Sequence, residues 1–245
     1  MKLKVYTLDV ASKTFRYNYD FEITNAPEDA DWNTLAVMAY GENFCLSCLS
    51  SSNTLYQFPY NGDTYNYQRE VKILNIPKNA QLSTLSMFRT STDDCLYFRD
   101  IDDPNRLYQF ISREEEFVFS GSLLVKGADT DQTHYMAMSY DTEQCLYTLD
   151  AENEVLHEAI FSEADEDEEE MGCWFQNSGN SFEFDHNLDG NFSFAMAYAE
   201  GEHWMYFIDL PNSPQGGFGI INSEVEKVEE QSSQFGGFGK HPHQS

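Results

Sequence analysis

The stretch His134-Tyr-Met-Ala-Met-Ser-Tyr-Asp-Thr-Glu-Gln-Cys-Leu-Tyr-Thr-Leu-Asp150, running on to Phe161, decides the fold, because the rest of the chain reads as altered copies of it. The same order of residues recurs at Leu35-Ala-Val-Met-Ala-Tyr40 with Cys45-Leu-Ser, and at Thr84-Leu-Ser-Met-Phe88 with Cys95-Leu-Tyr-Phe-Arg-Asp100. It appears again at Phe194-Ala-Met-Ala-Tyr198 with Trp204-Met-Tyr-Phe-Ile-Asp209. Met38, Met87, Met138 and Met196 mark a unit of about fifty residues. Each copy is an apolar strand, a polar turn, a second apolar strand closing near an acid, another turn and a third strand. Repeats of this length built from short strands are the sequence signature of ring-like sheet architectures.

Working outward, strands are expected at 34–40, 44–50, 53–60 and 69–76, then at 83–89, 94–100 and 106–112, with 117–120 or 122–125 as the outer strand. The third unit covers 134–161 and gives way to an acidic insertion at 162–172, whose adjacent carboxylates repel one another and must stay solvated. Strand character resumes at 173–176 and 181–184, and the fourth unit follows at 192–198, 203–209 and 217–222. Residues 225–245 form a Gly/Ser/Gln-rich tail expected to be disordered. At the other end, Lys4–Asp9 and Lys13–Phe21 match the second and third strands of a unit that lacks its first. No segment holds a helical period. The expectation is therefore an all-β chain, a five-bladed β-propeller over residues 1–224 closed by strands from both termini. Four or six blades and a β-sandwich are the alternatives.

Composition narrows function. With 14 Lys/Arg against 42 Asp/Glu and a net charge of -28, the chain is ill suited to nucleic-acid phosphates or anionic lipid. A neutral ligand, or a basic protein or peptide, is the expected partner. No apolar run approaches the roughly 20 residues that span a bilayer, and the start is a charged strand rather than a signal peptide. A cytoplasmic chain, or one exported without a cleaved signal, is expected. Of the five cysteines, Cys45, Cys95 and Cys145 share one place in successive repeats, which reads as a small buried residue. Cys45 and Cys48 point to opposite faces of one strand, so they cannot share a metal or a disulfide.

Leu3-Lys-Val-Tyr-Thr-Leu-Asp9, Cys45-Leu-Ser-Cys-Leu-Ser-Ser-Ser-Asn-Thr-Leu-Tyr-Gln-Phe-Pro-Tyr-Asn-Gly62 and Asn105-Arg-Leu-Tyr-Gln-Phe110 resemble the blade pattern of the fungal fucose-specific lectins. The resemblance implies a propeller, six-bladed in that family, that binds fucose between blades through an Arg, a Glu and an aromatic. Here the Arg position is held by Lys4, Phe44 or Cys45, Cys95, Cys145 and Trp204, and the Glu position by Gln57, Gln109 and His157. The forked donor and the carboxylate are missing, so a shared fold without fucose binding is expected.

The remaining candidates follow from residue chemistry. Trp32 and Trp174 stand at strand starts and read as exposed stacking platforms for a sugar, with Gln57 and Gln109 as hydrogen-bonding partners. Asp9, Asp100, Asp150 and Asp209 recur after a strand, either lining one face of the ring as ligand groups or accepting turn N–H groups. Asp185, Asn187 and Asp189 have the alternating oxygens of a calcium loop, though the closing acid is missing and an Asp-Gly hairpin explains them as well. Otherwise no cofactor is expected. No nucleophile, phosphate-loop or dinucleotide motif is present. The expectation is a non-catalytic lectin-like propeller with several equivalent sites between blades. An acidic scaffold for a basic partner is the second reading, and a glycoside hydrolase using dispersed carboxylates the third.

Overall fold

A computed structural model describes residues 1–40, 43–90, 92–126, 135–140, 144–150, 153–163, 173–184, 192–199 and 201–210, with backbone only at 40, 135, 140, 163, 173 and 174. These belong to one compact unit, Met1–Pro211; a second unit, Asn212–Ser245, lies outside the described residues, as do most of the acidic insertion and the tail. Among the described residues there is no helix.

The chain opens with β1 (Lys2–Asp9) and β2 (Thr14–Thr24). Next come β3 (Ala30–Tyr40), β4 (Asn43–Ser50) and β5 (Leu55–Pro59), followed by an outer strand in three pieces, β6 (Thr64–Asn66), β7 (Arg69–Val71) and β8 (Ile73–Leu74). A second array comprises β9 (Ala80–Arg89), β10 (Asp94–Asp100), β11 (Arg106–Arg113) and β12 (Glu116–Lys126). The third comprises β13 (Tyr135–Tyr140), β14 (Gln144–Asp150), β15 (Val155–Glu163) and β16 (Cys173–Phe184), and β17 (Phe192–Ala199) and β18 (Glu202–Asp209) follow.

Each array is antiparallel throughout. The first is ordered β3-β4-β5-β7, the second β9-β10-β11-β12 and the third β13-β14-β15-β16. In the fourth, β17 and β18 pair with each other, and β18 then pairs with β1 through Lys4–Phe207, Val5–Tyr206, Tyr6–Met205 and Thr7–Trp204. β2 completes it. The first strands β3, β9, β13 and β17 neighbour one another in a cycle. The described residues thus form four blades of a β-propeller, not the five expected. The miscount has a definite cause: β1 and β2 are the third and fourth strands of a blade whose inner half is β17 and β18, rather than the second and third strands of a separate blade.

The core is divided in the same way, into four apolar clusters with one at each seam between blades. Leu46, Phe58 and Tyr206 lie in the seam of the fourth and first blades; Leu49, Met87 and Phe98 lie between first and second. Tyr97, Met138 and Phe175 lie between second and third, and Tyr147, Met196 and Phe207 between third and fourth. Alternation along each strand sends one set of side chains into each flanking seam, so every blade is buried on both faces. Register also corrects the anchor residues. Met87, Met138 and Met196 face Leu96, Leu146 and Met205, but the partner of Leu46 is Val37, and Met38 stands one residue further on.

The outer strands bend. β2, β12 and β16 each carry a register shift against the third strand of their blade, the one in β12 beside Gly121 and the one in β16 between Asn177 and Ser181. A bulge turns a strand without ending it. The segments 117–120 and 122–125, expected as rivals for one place, are therefore two halves of β12, and 173–176 and 181–184 are likewise two halves of β16. The bend lets each outer strand reach both neighbours through short parallel pairings: β12 with β16, β16 with β2, β2 with β6 and β8 with β12. These four junctions make a belt around the ring and protect outer edges that would otherwise be open to pairing.

The inner strands bulge too, and a threonine closes the gap. Thr84 Oγ1 accepts from the Arg99 N–H at 2.8 Å and donates to the Gln81 carbonyl at 2.7 Å, and Thr34 does the same with Leu49 (2.7 Å) and Asp31 (2.6 Å). Both threonines are buried. Thr84→Val keeps the shape but leaves the Arg99 N–H without an acceptor, a loss of about 1–3 kcal/mol; urea unfolding followed by circular dichroism should show that drop, with Thr34→Val alike.

Candidate functional site

The second strands carry the repeated chemistry. On the face turned to the next blade stand Cys45 and Ser47, Cys95 and Tyr97, and Cys145 and Tyr147. Opposite the latter member of each pair, on the third strand, stand Gln57, Gln109 and Glu158. The expected third residue, His157, is one place out of register and faces Thr148; Glu158 takes the position, so a carboxylate is present in one seam. In the fourth blade the corresponding residues are Trp204, Tyr206 and Val5. The seams are therefore not equivalent: three hold a polar trio and the fourth an aromatic group.

The glutamine, glutamate and tyrosine groups of the trios find partners close by. Gln57, 5% exposed, accepts from Arg69 Nε at 2.8 Å, and Gln109 Nε2 donates to the Tyr97 hydroxyl at 2.6 Å. Glu158 Oε1 accepts from Ser178 Oγ at 3.0 Å and Asn180 Nδ2 at 2.9 Å, while the Tyr147 hydroxyl lies 3.3 Å from His203 Nδ1. The thiols are buried and unbonded to each other, and burial pushes Cys45 and Cys95 each up to about 11. They are neutral packing groups near pH 7, not nucleophiles. Cys48 lies in the opposite seam from Cys45, as alternation requires.

The seam of the fourth and first blades differs. Tyr19 and Phe21 of β2, Phe44 of β4, Tyr60 after β5 and Trp204 of β18 are half-buried around the buried pair Tyr65 and Tyr206. Ring centroids run in a chain of contacts: Trp204–Tyr19 6.4 Å, Tyr19–Phe21 4.8 Å, Phe21–Tyr60 4.9 Å and Tyr60–Tyr65 5.2 Å. Tyr65–Tyr206 at 6.2 Å, Tyr206–Phe44 at 5.8 Å and Phe44–Trp204 at 5.9 Å return to the start. Burial drives the Tyr65 and Tyr206 hydroxyls well above the ordinary phenol range, and the nearby hydroxyls of Tyr19 and Tyr60 reinforce this. Tyr65 and Tyr206 therefore stay protonated at neutral pH, able to donate and accept. Sequence reading missed this group because its rings come from both ends of the chain and meet only when β1 and β2 dock.

The other expected residues fall as follows. Trp32 is 8% exposed and packs 5.2 Å from Phe58 in the core, so it is not an exposed platform. The backbone of Trp174 pairs with Leu124 and Ser162, and its side chain is outside the described set. Asp100, Asp150 and Asp209 all end second strands and so share one end of the ring. Asp100 Oδ1 accepts the N–H groups of Asp102 (2.8 Å) and Asp103 (3.2 Å), and its Oδ2 accepts from the Tyr108 hydroxyl. Asp150 accepts the Asn153 N–H at 3.1 Å, and Asp209 meets Lys4 Nζ at 2.6 Å. Asp9 belongs to a third strand instead, where it accepts from Ala11 at 3.1 Å and pairs with Arg16 at 3.0 Å. Asp185, Asn187 and Asp189 lie outside the described residues.

Among known proteins, no family model and no curated sequence matches the chain. Solved structures similar to it include AofleA from Arthrobotrys oligospora, at 10% identity and TM-score 0.36, with 84% of this chain and 61% of that one covered. The SapL1 lectin in complex with alpha methyl fucoside is similar at 12% identity and TM-score 0.35, covering 73% and 57%. The Aleuria aurantia lectin, described as a six-bladed β-propeller with a novel fucose recognition mode, is similar at 12% and 0.35, covering 84% and 67%. The chain spans about three fifths of the length of the first of these.

The Asp100 turn sets a pH dependence. Burial works to raise its carboxyl, but the Tyr108 hydroxyl and the Asp102 and Asp103 N–H groups outweigh it and hold the group below its ordinary 3.8. A depressed folded value stabilises the fold above the unfolded value, and that stability is lost as pH falls below it. Tyr108→Phe should cost about 1–2 kcal/mol at pH 7. The difference from wild type should shrink below about pH 3.8, measured by urea unfolding across pH 7 to 3.

Proposed function

We propose that the chain is a non-catalytic carbohydrate-binding protein whose ligand lies against the aromatic seam of the fourth and first blades. The observation that carries this reading is the concentration of half-buried rings there: Tyr19, Phe21, Phe44, Tyr60 and Trp204, drawn from four separate segments. Besides these rings, the seam presents the hydroxyls of Tyr19 and Tyr60. An aromatic face supplies apolar contact to the C–H side of a sugar ring, and phenol hydroxyls at its rim supply direction. A neutral sugar also meets no long-range penalty from a net charge of -28.

One strong site replaces the several equivalent sites that the repeat implies, so avidity would depend on association between chains rather than on blades within one. A second reading, an acidic scaffold for a basic peptide, draws on the charge alone. The two separate by salt: attraction between surface charges fades once the screening length drops to a few ångströms, near 1 M ionic strength, whereas stacking does not.

A glycan array probed at low and high salt should show neutral-glycan binding that survives about 0.5 M salt, at which exposed charges are strongly screened. Trp204→Ala should weaken binding about tenfold or more, as removal of an interface tryptophan commonly does. Binding confined to basic peptides and abolished by salt would establish the scaffold reading instead.

A further inference from the structure

Arg69 is an unusual cation in this chain. Acids outnumber Lys and Arg by 42 to 14, and Arg16, Arg89, Arg106 and Arg113 each pair with an aspartate, at 3.0, 3.3, 3.3 and 2.6 Å. Among the described residues Arg69 makes no ion pair. Its Nε instead donates to a neutral amide oxygen, Gln57 Oε1, at 2.8 Å.

That bond fixes the guanidinium by its inner edge. Gln57 is 5% exposed and lies directly across the sheet from Arg69, on the face turned to the second blade, where its neighbour Leu55 packs. The amide holds the planar group but cancels none of its charge, so the exposed outer edge, with its Nη donors, keeps the fork that matches a carboxylate.

Among the described residues, no anion of the same face competes for that edge. Ser47, opposite Gln57 on the adjoining strand, is fully buried and neutral. Cys45, two residues away on the same face, feels the Arg69 charge yet stays a neutral thiol.

We propose that Arg69 binds a carboxylate at the seam of the first and second blades, with Gln57 as its positioning residue. The ligand class is a small carboxylate, either carried on a sugar or free. This site is separate from the aromatic seam and stands whether or not that seam binds a neutral glycan.

Titration calorimetry on the full chain with sodium glucuronate, glucose and sodium acetate tests it. Glucuronate should bind at this site and be displaced by acetate, while glucose should not displace it. If acetate alone binds as tightly as glucuronate, the site recognises the free carboxylate; if glucuronate is tighter, it recognises a sugar acid.

Arg69→Gln, an exposed change, should weaken glucuronate at least about tenfold, the range for a hydrogen bond to a charged group. Gln57→Glu should place a carboxylate on the guanidinium, abolish glucuronate binding and leave the melting temperature unchanged or raised, which loss of folding would not do. Trp204→Ala should leave glucuronate affinity unchanged. Equal glucuronate affinity in wild type and Arg69→Gln, no glucuronate binding by wild type, or displacement by glucose would each overturn the proposal.

Discussion

The pairing of β1 with β18 is the contact on which the ring depends. It joins residues 4–7 to residues 204–207, almost the full length of the described chain apart, so its closure entropy is set against the whole fold rather than a local turn. What repays that cost is burial on both sides at once. Leu3 and Val5 complete the seam with the first blade, and Tyr6 and Phe15 complete the seam with the third. Two of the four apolar clusters are therefore unfinished until the strands of the two chain ends lie side by side. Closure and core formation are one event.

A ring of only four blades is a tight circle, and the bent outer strands follow from that. Straight strands of eleven or twelve residues would leave their ends standing away from the neighbours; a mid-strand bulge redirects the second half onto the next blade. The parallel junctions are short, of two or three residue pairs each, but four of them in series share one belt. The same geometry differentiates the seams. Where β2 meets β6, the rings of Tyr19, Phe21 and Tyr65 are brought beside Trp204 and Phe44, and an apolar patch results. Where β8 meets β12, the third-strand glutamine is left to hold an arginine.

Charge is handled by local pairing. Asp9 and Asp103 each pair with an arginine and also accept turn N–H groups, so one carboxylate serves both turn and cation. Within the seams, burial pushes upward the thiols of Cys45, Cys48 and Cys95 and the phenols of Tyr65, Tyr147 and Tyr206, so these groups pack as neutral side chains.

The period, the strand positions, the burial of the repeated cysteines and the opposed faces of Cys45 and Cys48 were legible in the residues themselves, because alternation and turn chemistry are local. Blade number was not. The alternating pattern of β1 suits a second or a third strand equally, and only its partner, β18, tells which it is. The same holds for the position opposite Tyr147, where the bulge between β15 and β16 and the length of the preceding turn put Glu158 rather than His157. Trp32 at a strand start looks exposed until the seam folds over it. The aromatic group and the Arg69–Gln57 bond are assembled across strands by pairing that no local pattern encodes. Residue chemistry determined the strands and what each face would bury; which faces meet was decided by long-range register, because backbone pairing is the same for any two strands and only packing selects among them.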